Sequence, residues 1–466
     1  MIPDAPPLLT SPARQRLAIF LKIGAIGLLV ALLHVPLAMT RSVLNERRSY
    51  QRQAVEEIAN VWGAAQQITG PVLAVPYSFR AKVIKSRFAG DRAVQVEEVE
   101  SVWATAYFLP EQLQLQGTID PEVRHRGIYD AVVFTSRLSL TGQFRADFSA
   151  AGVTADHIAW DRAQVLFGVS DLGGVRAVGP FRIGGRDTGF ESTGLGADKL
   201  LPLSAAIGTL GGEGRFEFTF DVEVQGTERL DVVPLGKTTR VTLQSTWADP
   251  SFTGAQLPVA REIGAAGFSA EWASAHFNRA FAQAWSSREI SGEKATMSFA
   301  EAAFGVRLAQ PVGGYAMAER AQKYGVLFFV LVFAVFFLFE VTAALAIHPL
   351  QYAMVGAALC LFFLGFLALS EFVATPLAYG VAASACTLLI GLYSWSFLRT
   401  GRRTAVVVAG LGSTYAYLFF VLRSQDYALL AGTAALFAVL AVVMFCTRRI
   451  NWYAAPGKAP VGIARD

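Results

Sequence analysis

Long apolar runs lie at both ends of this chain and are missing from its middle. Six runs are long enough to cross a bilayer, at residues 17–39, 324–346, 351–369, 376–397, 404–422 and 427–446. About 20 residues at 1.5 Å each span roughly 30 Å of hydrocarbon. The pattern therefore predicts six transmembrane helices, one N-terminal and five C-terminal, and the short connections between the last five predict antiparallel hairpins.

The first run could also belong to a signal peptide, because Arg14 and Arg16 precede it. It is longer than the roughly 7 to 15 apolar residues of a typical signal-peptide core, and no clean small-x-small cleavage site closes it. We therefore predict that residues 17–39 stay in the protein as a membrane anchor.

Residues 40–323 show the pattern of a water-facing domain, and this domain begins as a helix. Leu44, Tyr50 and Ile58 recur near the 3.6-residue period, and Gly70-Pro71 is expected to stop the helix. The first span should therefore continue beyond the membrane as a helical stalk. Helical patterns return over 268–285 and just before the second span.

Between the helical patterns the period changes to two, which is typical of half-buried strands. The alternation covers 132–140, 216–224 and 240–247. Turn signals separate the predicted strands, at Asp120-Pro121, Gly173-Gly174, Gly211-Gly212 and Asp249-Pro250. The predicted fold class is α+β: six transmembrane helices with a large, sandwich-like, β-rich domain between the first and the second.

The distribution of basic residues predicts the orientation. Six spans place both termini on one side of the membrane. Arg399, Arg402 and Arg403 lie in one loop, on the same side as the termini. The positive-inside rule then places residues 1–16 and 447–466 in the cytoplasm and 40–323 in the periplasm. Four arginines just outside the first span disagree with this assignment: Arg41, Arg47, Arg48 and Arg52. We discount them because a large translocated domain follows.

Charged residues make up only 16% of the chain, and the deficit is local. Of the 123 positions from 324 to 446, seven are charged. A lipid bilayer is therefore the first expected partner. The net charge of +4 over 466 residues is too small to indicate a nucleic-acid partner.

No catalytic or metal-binding pattern stands out. The three cysteines lie in the apolar third without a CxxC pair, and the five histidines are scattered, so we predict no metal and no cofactor. Gly236-Lys237-Thr238 resembles the end of a phosphate-binding loop, but Asp231 stands where its first glycine should be. We therefore predict that the protein is not an enzyme and has no catalytic residue.

Ionisable residues in the membrane third are the better functional candidates. Glu340 lies inside the second span, where an unpaired charge near mid-bilayer costs roughly 2.5 to 3.5 kcal/mol. It must therefore be paired, solvated or directed to the interface. His348 stands in the turn before the third span, Glu371 closes that span, and Asp426 opens the sixth, where it also suits a helix N-terminus.

Many separated segments of the chain resemble the CreD family of inner-membrane proteins from Gram-negative bacteria. The water-facing part contributes Arg126-Gly127-Ile128-Tyr129 and Pro250-Ser251-Phe252-Thr253-Gly254. The most specific segments lie in the membrane third: Phe339-Glu340, Ile347-His348-Pro349-Leu350-Gln351-Tyr352, Ala368-Leu369-Ser370-Glu371 and Asp426-Tyr427-Ala428-Leu429-Leu430. The resemblance thus adds Gln351, Tyr352 and Ser370 to the candidate residues. Phe372 stands where the family often has histidine, which argues against a proton relay beside Glu371.

The resemblance implies a protein of cell-envelope integrity, linked to envelope stress and the β-lactam response, and it carries over no catalytic residue. Our leading hypothesis is a non-enzymatic protein whose periplasmic domain contacts an envelope protein or the cell wall. A transporter or lipid-handling protein, with Glu340, His348 and Glu371 along one path, is the alternative. A transmembrane sensor would need a separate output partner, and a membrane enzyme is the last possibility.

Overall fold

The chain forms two compact units in the computed structural model. The structure describes residues 12–89, 92–193, 201–208, 215–288, 299–308, 313–343, 347–398 and 400–423, with scattered positions between 430 and 448. One unit combines Met1–Tyr50 with Val312–Asp466 and is called the helical unit. The other is Gln51–Pro311 and is called the sandwich.

The helical unit contains six helices whose bounds the structure gives. They are α1 (Pro12–Trp62), α2 (Gly314–Lys323), α3 (Gly325–Ala343), α4 (Pro349–Leu369), α5 (Thr375–Leu398) and α6 (Gly401–Arg423). Among the described residues, α1, α4, α5 and α6 are each long and apolar enough to cross a membrane, and α2 with α3 forms a fifth candidate bent by 52°. The structure thus supports four or five of the six predicted spans, and the run 427–446 lies largely outside the described residues.

The predicted helix over 44–61 is confirmed, but its predicted end is wrong. α1 ends at Trp62, and Gly63 has a φ of 133°, a conformation that glycine adopts without strain. Gly70-Pro71 lies instead within the first strand, where the pairing shifts register between Thr69 and Val72. The sequence signal therefore marked an irregularity in a strand, not the end of a helix.

The helical unit has its own apolar core. Leu33, Leu37 and Leu44 of α1 are buried in the same cluster as the aromatic side chains of α3 and α4. A side chain at Gly356 of α4 would begin 2.3 Å from Leu33 Cδ1, so glycine allows the two helices to approach. α1 is therefore packed against the C-terminal helices despite lying some 300 residues away in sequence.

The sandwich consists of two sheets. The ten-stranded sheet contains β1 (Gln66–Ala89), β2 (Arg92–Phe108), β5 (His157–Ile158), β6 (Gln164–Val169), β10 (Glu191–Ser192), β11 (Leu203–Ala206), β13 (Arg229–Val232), β15 (Pro250–Gly254), β18 (Ala284–Ser286) and β19 (Phe304–Leu308). The nine-stranded sheet contains β3 (Pro110–Arg126), β4 (Tyr129–Arg145), β7 (Val175–Val178), β8 (Phe181–Ile183), β9 (Arg186–Thr188), β12 (Arg215–Thr227), β14 (Thr238–Ser245), β16 (Ala260–Gly264) and β17 (Gly267–Ala275). The strands of the nine-stranded sheet have the order β16-β17-β14-β3-β4-β12-β8-β9, so β3 and β4 lie near its centre.

One hydrophobic core joins the two sheets. Trp272 of the nine-stranded sheet is fully buried and stacks on Phe304 of the ten-stranded sheet, with ring centroids 5.7 Å apart. The inward side chains of β12 are Phe218, Phe220 and Val222, as the period of two predicted. The β-rich, sandwich-like part of the fold prediction is therefore confirmed.

Two local predictions in this domain are wrong. Residues 268–285 do not form an α-helix: Gly267–Ala275 forms β17, because Phe268, Ala270 and Trp272 are buried in alternation while the residues between them are not. Only His276–Asn278 forms a short 3-10 helix. Asp120-Pro121 is not a turn but lies within β3. Proline is tolerated there because β14 pairs with β3 only as far as Ile119, so Pro121 stands at an edge.

The turns at Gly173-Gly174 and Asp249-Pro250 are confirmed, since the first lies in a short 3-10 helix and the second joins a bend at Asp249 to the first residue of β15. Gly211-Gly212 lies outside the described residues. The sequence therefore predicted the positions of strands in the nine-stranded sheet better than it predicted where those strands end.

Loss of Trp272, which packs between the two sheets, should destabilise the sandwich. We expect Trp272→Ala to lower the free energy of unfolding by about 3 to 5 kcal/mol, because it leaves a large cavity between the sheets. The measurement is chemical denaturation of the purified full chain, followed by the β-sheet circular dichroism signal. Phe277→Ala is the control, because Phe277 is 84% exposed and its removal should change stability little. Equal effects of the two substitutions would contradict this account of the core.

Candidate functional site

Glu340 lies on α3 and is the centre of a polar cluster within the helical unit. Its Oε1 pairs with Nζ of Lys22 on α1, and its Oε2 accepts a hydrogen bond of 3.1 Å from the hydroxyl of Tyr352 on α4. Only 14% of the Glu340 side chain and 22% of the Lys22 side chain are exposed. We call Lys22, Glu340 and Tyr352 the inner cluster, and each of its members comes from a different helix.

The inner cluster satisfies both of its charges. Lys22 Nζ also donates to the carbonyl oxygen of Ile347, at 2.7 Å. Tyr352 is 1% exposed, and its ring meets Phe333 and Phe336 edge-on, at 5.6 and 6.3 Å between centroids. The two aromatic rings fix the hydroxyl towards Glu340. A buried charge without such partners would be strongly unfavourable, so the cluster explains how Glu340 is tolerated in an apolar helix.

His348 and Gln351 lie beside the inner cluster but act on the backbone. The Leu350 N–H donates to His348 Nδ1 at 3.2 Å, and the His348 N–H donates to Gln351 Oε1 at 2.9 Å. These bonds satisfy free N–H groups at the start of α4, so both side chains cap the helix. His348 is exposed, and its Nδ1 lone pair is occupied by the cap.

Glu371 belongs to a second cluster, just beyond the C-terminal end of α4. Its Oε1 lies 3.5 Å from Arg47 Nε and accepts a hydrogen bond of 3.1 Å from the hydroxyl of Tyr315. A carboxylate at this end of a helix opposes the helix dipole, and only 9% of the Glu371 side chain is exposed. The cation of α1 offsets that unfavourable position.

Arg48 extends this second cluster to α2. Its guanidinium lies 2.6 Å from Glu319 and 3.4 Å from the backbone oxygen of Tyr315, and Lys323 also pairs with Glu319. Glu319 is thus held by two cations, one from α1 and one from α2 itself. We call Arg47, Arg48, Tyr315, Glu319 and Glu371 the outer cluster.

Ser370 and Asp426 complete the predicted residues. Ser370 Oγ donates to the Leu367 carbonyl at 2.8 Å, and a side chain at Gly314 would begin 2.8 Å from Ser370 Cβ. Ser370 thus closes α4 and allows α2 to approach it. Asp426 lies outside the described residues, so its predicted place at the start of a sixth span stays a prediction.

The structure separates the predicted residues into two groups instead of joining them. Tyr352 and Glu371 lie near opposite ends of α4, whose 21 residues span about 30 Å. The buried side chains of α4 between them are apolar apart from Cys360. This arrangement gives no support to the alternative in which Glu340, His348 and Glu371 line one polar path.

Sequence reasoning missed the cationic halves of both clusters. Lys22 was hidden inside an apolar run, and Arg47 and Arg48 were considered only as exceptions to an orientation rule. One signal in the sequence could have joined Lys22 to Glu340. Each is the one charged residue of its apolar run, and each lies near the end of that run that six spans place on the same side of the membrane. The two side chains are therefore expected at a similar depth in the membrane.

The chemistry of both clusters is that of ion pairing. Each carboxylate pairs with a cation, and Glu340 and Glu371 also accept a hydrogen bond from a tyrosine hydroxyl. No group of three or more His, Cys, Asp or Glu side chains that could hold a metal occurs within the described part of the chain. The clusters hold α1 against α2, α3 and α4. They therefore fit a structural role in the helical unit better than a reaction centre.

Comparisons with known proteins agree with the resemblance found in the sequence. The family model described as "Inner membrane protein CreD" matches residues 18–453. The protein named "Inner membrane protein CreD" from Escherichia coli (strain K12) is 31% identical to this chain over 448 residues, which cover 94% of each chain. The match includes both charge clusters and the whole sandwich.

A double-mutant cycle tests the inner cluster. Lys22→Met leaves Glu340 without its cation, and we expect it to destabilise the helical unit by about 3 to 5 kcal/mol. Lys22→Met combined with Glu340→Gln removes both charges and should be less destabilising than either single change. Thermal unfolding of the purified protein in lipid nanodiscs measures the difference.

The matched control is the exposed pair Arg182 and Asp187 in the sandwich, whose side chains are 62% and 57% exposed. Arg182→Ala should cost less than about 1 kcal/mol. If Lys22→Met costs no more than Arg182→Ala, the inner cluster does not hold the helices together.

Proposed function

The chain belongs to the CreD family of inner membrane proteins, and from that premise we propose that it contributes to cell-envelope integrity and the response to envelope stress or β-lactams. The sandwich acts in the periplasm without catalysing a reaction, and the helical unit anchors it in the inner membrane. A periplasmic protein or the cell wall is the partner that this role requires.

The observation that carries the proposal is that the sandwich has its own core and its own attachment to the membrane anchor. α1 passes from the apolar segment into Gln51–Pro311, where Thr227 Oγ1 donates to the Gly63 carbonyl at 2.7 Å. Trp62 lies under the guanidinium of Arg124, 4.5 Å from the ring centroid. The end of the anchoring helix is thus part of the fold of the sandwich.

A network of buried hydrogen bonds continues the attachment into β1. Gln66 is 1% exposed and donates to the carbonyl oxygens of Gln225 and Asp171, at 2.8 and 3.1 Å. Asp171 in turn accepts a hydrogen bond of 2.7 Å from the Ala64 N–H. Such satisfied buried networks favour one arrangement of the backbone, and here they fix the segment where α1 becomes β1.

The outer cluster supports the proposed orientation. Arg47 and Arg48 counted against a periplasmic sandwich, but both are paired with carboxylates from the C-terminal helices. A large domain follows these arginines, and such domains translocate largely regardless of charge. The basic residues around Arg402 favour the orientation that we propose, with Gln51–Pro311 in the periplasm and both termini in the cytoplasm.

Deletion of the sandwich tests the proposed function. A chain that lacks residues 64–311 but keeps the helices should accumulate in the membrane and fail to restore β-lactam tolerance to a strain lacking the full protein. The Lys22→Met, Glu340→Gln double variant is the control, because it keeps the sandwich and should restore tolerance. The measurement is survival at matched protein levels.

A transporter that works through Glu340 gives the opposite result. In that case the double variant loses activity at a normal protein level, since the carboxylate itself is required. Full tolerance with the sandwich deleted would contradict a role for the sandwich.

A further inference from the structure

The outer surface of the nine-stranded sheet carries an unusual set of side chains. Residues on its strands point alternately into the core and outwards, and the outward residues of β3, β4, β12 and β14 form what we call the polar face. Those nearest its centre are amides and hydroxyls: Gln114, Gln116, Thr118, Ser139, Thr141 and Thr242. Large apolar and aromatic side chains of these four strands point the other way, into the core.

Strand pairing places these side chains in rows across the sheet. Thr242 of β14 lies opposite Gln116 of β3, Gln116 opposite Ser139 of β4, and Ser139 opposite Asp221 of β12. The next row runs from Gln244 through Thr118 to Arg137 by the same registers. With strands about 4.8 Å apart, each row of four side chains covers roughly 15 Å.

Most amides and hydroxyls near the centre of the polar face have no hydrogen-bond partner among the residues that the structure describes. The side chains of Gln114, Gln116, Ser139, Thr141 and Thr242 make no hydrogen bond to any other part of the chain that the structure describes. Cross-strand hydrogen bonds and opposite-charge pairs on a sheet face each stabilise a sheet by roughly 0.2 to 1 kcal/mol. Here a dense set of donors and acceptors is left for water or for a ligand.

The polar face is also concave. Three cavities of about 570, 610 and 740 Å³ lie along it, and Thr118 and Gln244 line two of them. The third is lined by Gln114, Thr141 and their neighbours on β12. The depressions therefore follow the rows and form one shallow surface across four strands.

The charges of the polar face exclude several kinds of ligand. Towards the centre of the face, Arg137 pairs with Asp120 at 3.2 Å and Arg240 with Glu271 at 3.0 Å, so both cations are neutralised. Arg145 and Arg215 lie opposite each other at one end of the face, beside Asp147 and Glu217. Asp221 and Glu223 add negative charge to one cavity. A nucleic acid or another polyanion needs free cations, and a protein partner needs apolar anchors, so neither fits this surface.

We propose that the polar face binds an uncharged, N-acetylated glycan strand of the cell wall. Hydroxyl and amide groups along such a strand match the hydroxyl and amide side chains that the registers set in rows. The lack of aromatic side chains for stacking implies a weak site, with a dissociation constant of about 0.1 to 1 mM for a short oligosaccharide. The proposal rests on the proposed function in one respect, the periplasmic position of the sandwich.

Binding of a defined oligosaccharide to the full chain in nanodiscs tests this inference. The probe is the hexamer of β-1,4-linked N-acetylglucosamine, measured by isothermal titration calorimetry beside cellohexaose and heparin. We expect the acetylated hexamer to bind more tightly than the other two. Gln114→Ala with Gln116→Ala should weaken its binding about tenfold, the loss that two missing hydrogen bonds produce.

The matched control is Gln164→Ala, an exposed glutamine on β6 of the other sheet, which should leave binding unchanged. No binding of the hexamer, equal binding by the Gln114→Ala, Gln116→Ala variant, or tighter binding of heparin would overturn the inference. A failure here leaves the tolerance test of the sandwich deletion unaffected. Hexamer binding by a protein whose sandwich proves dispensable for tolerance would instead count against the proposed function alone.

Discussion

The helical unit depends on one physical constraint: an ionised side chain in an apolar helix must find a partner of opposite charge. Glu340 meets this constraint through Lys22 and Tyr352, and Glu371 meets it through Arg47 and Tyr315. Both cations come from α1, which is separated from the other helices by the whole sandwich in sequence. Charge pairing therefore determines which face of α1 meets the C-terminal helices. Leu33 lies on that face and packs against Gly356 of α4.

The spacing of the two clusters along α1 has a direct meaning. Lys22 and Arg47 are 25 residues apart, which corresponds to about 37 Å of helix. A bilayer has a hydrocarbon core of about 30 Å and is about 40 to 45 Å thick with its headgroups. The two clusters thus match the two borders of a membrane, with the apolar segment between them.

The sequence predicted what depends on local pattern and missed what depends on long-range contact. Periods of 3.6 and two identified α1, β4, β12 and β14, because burial of one face repeats along each element. The alanine-rich stretch around Trp272 looked helical, and only its pairing with β14 makes it a strand. Glu340 was correctly marked as a charge that needs a partner, but Lys22 is 318 residues away and no local pattern joins the two.

We propose that α1 leaves the membrane near its outer cluster and enters the sandwich on the periplasmic side. The most direct measurement is labelling of spheroplasts with a membrane-impermeant maleimide, in a chain whose three native cysteines are replaced by alanine. Tyr50→Cys, on α1 just beyond Arg48, should be labelled before the membrane is broken, and Arg402→Cys only afterwards. Labelling of Arg402→Cys in closed spheroplasts, with Tyr50→Cys protected, would contradict the account.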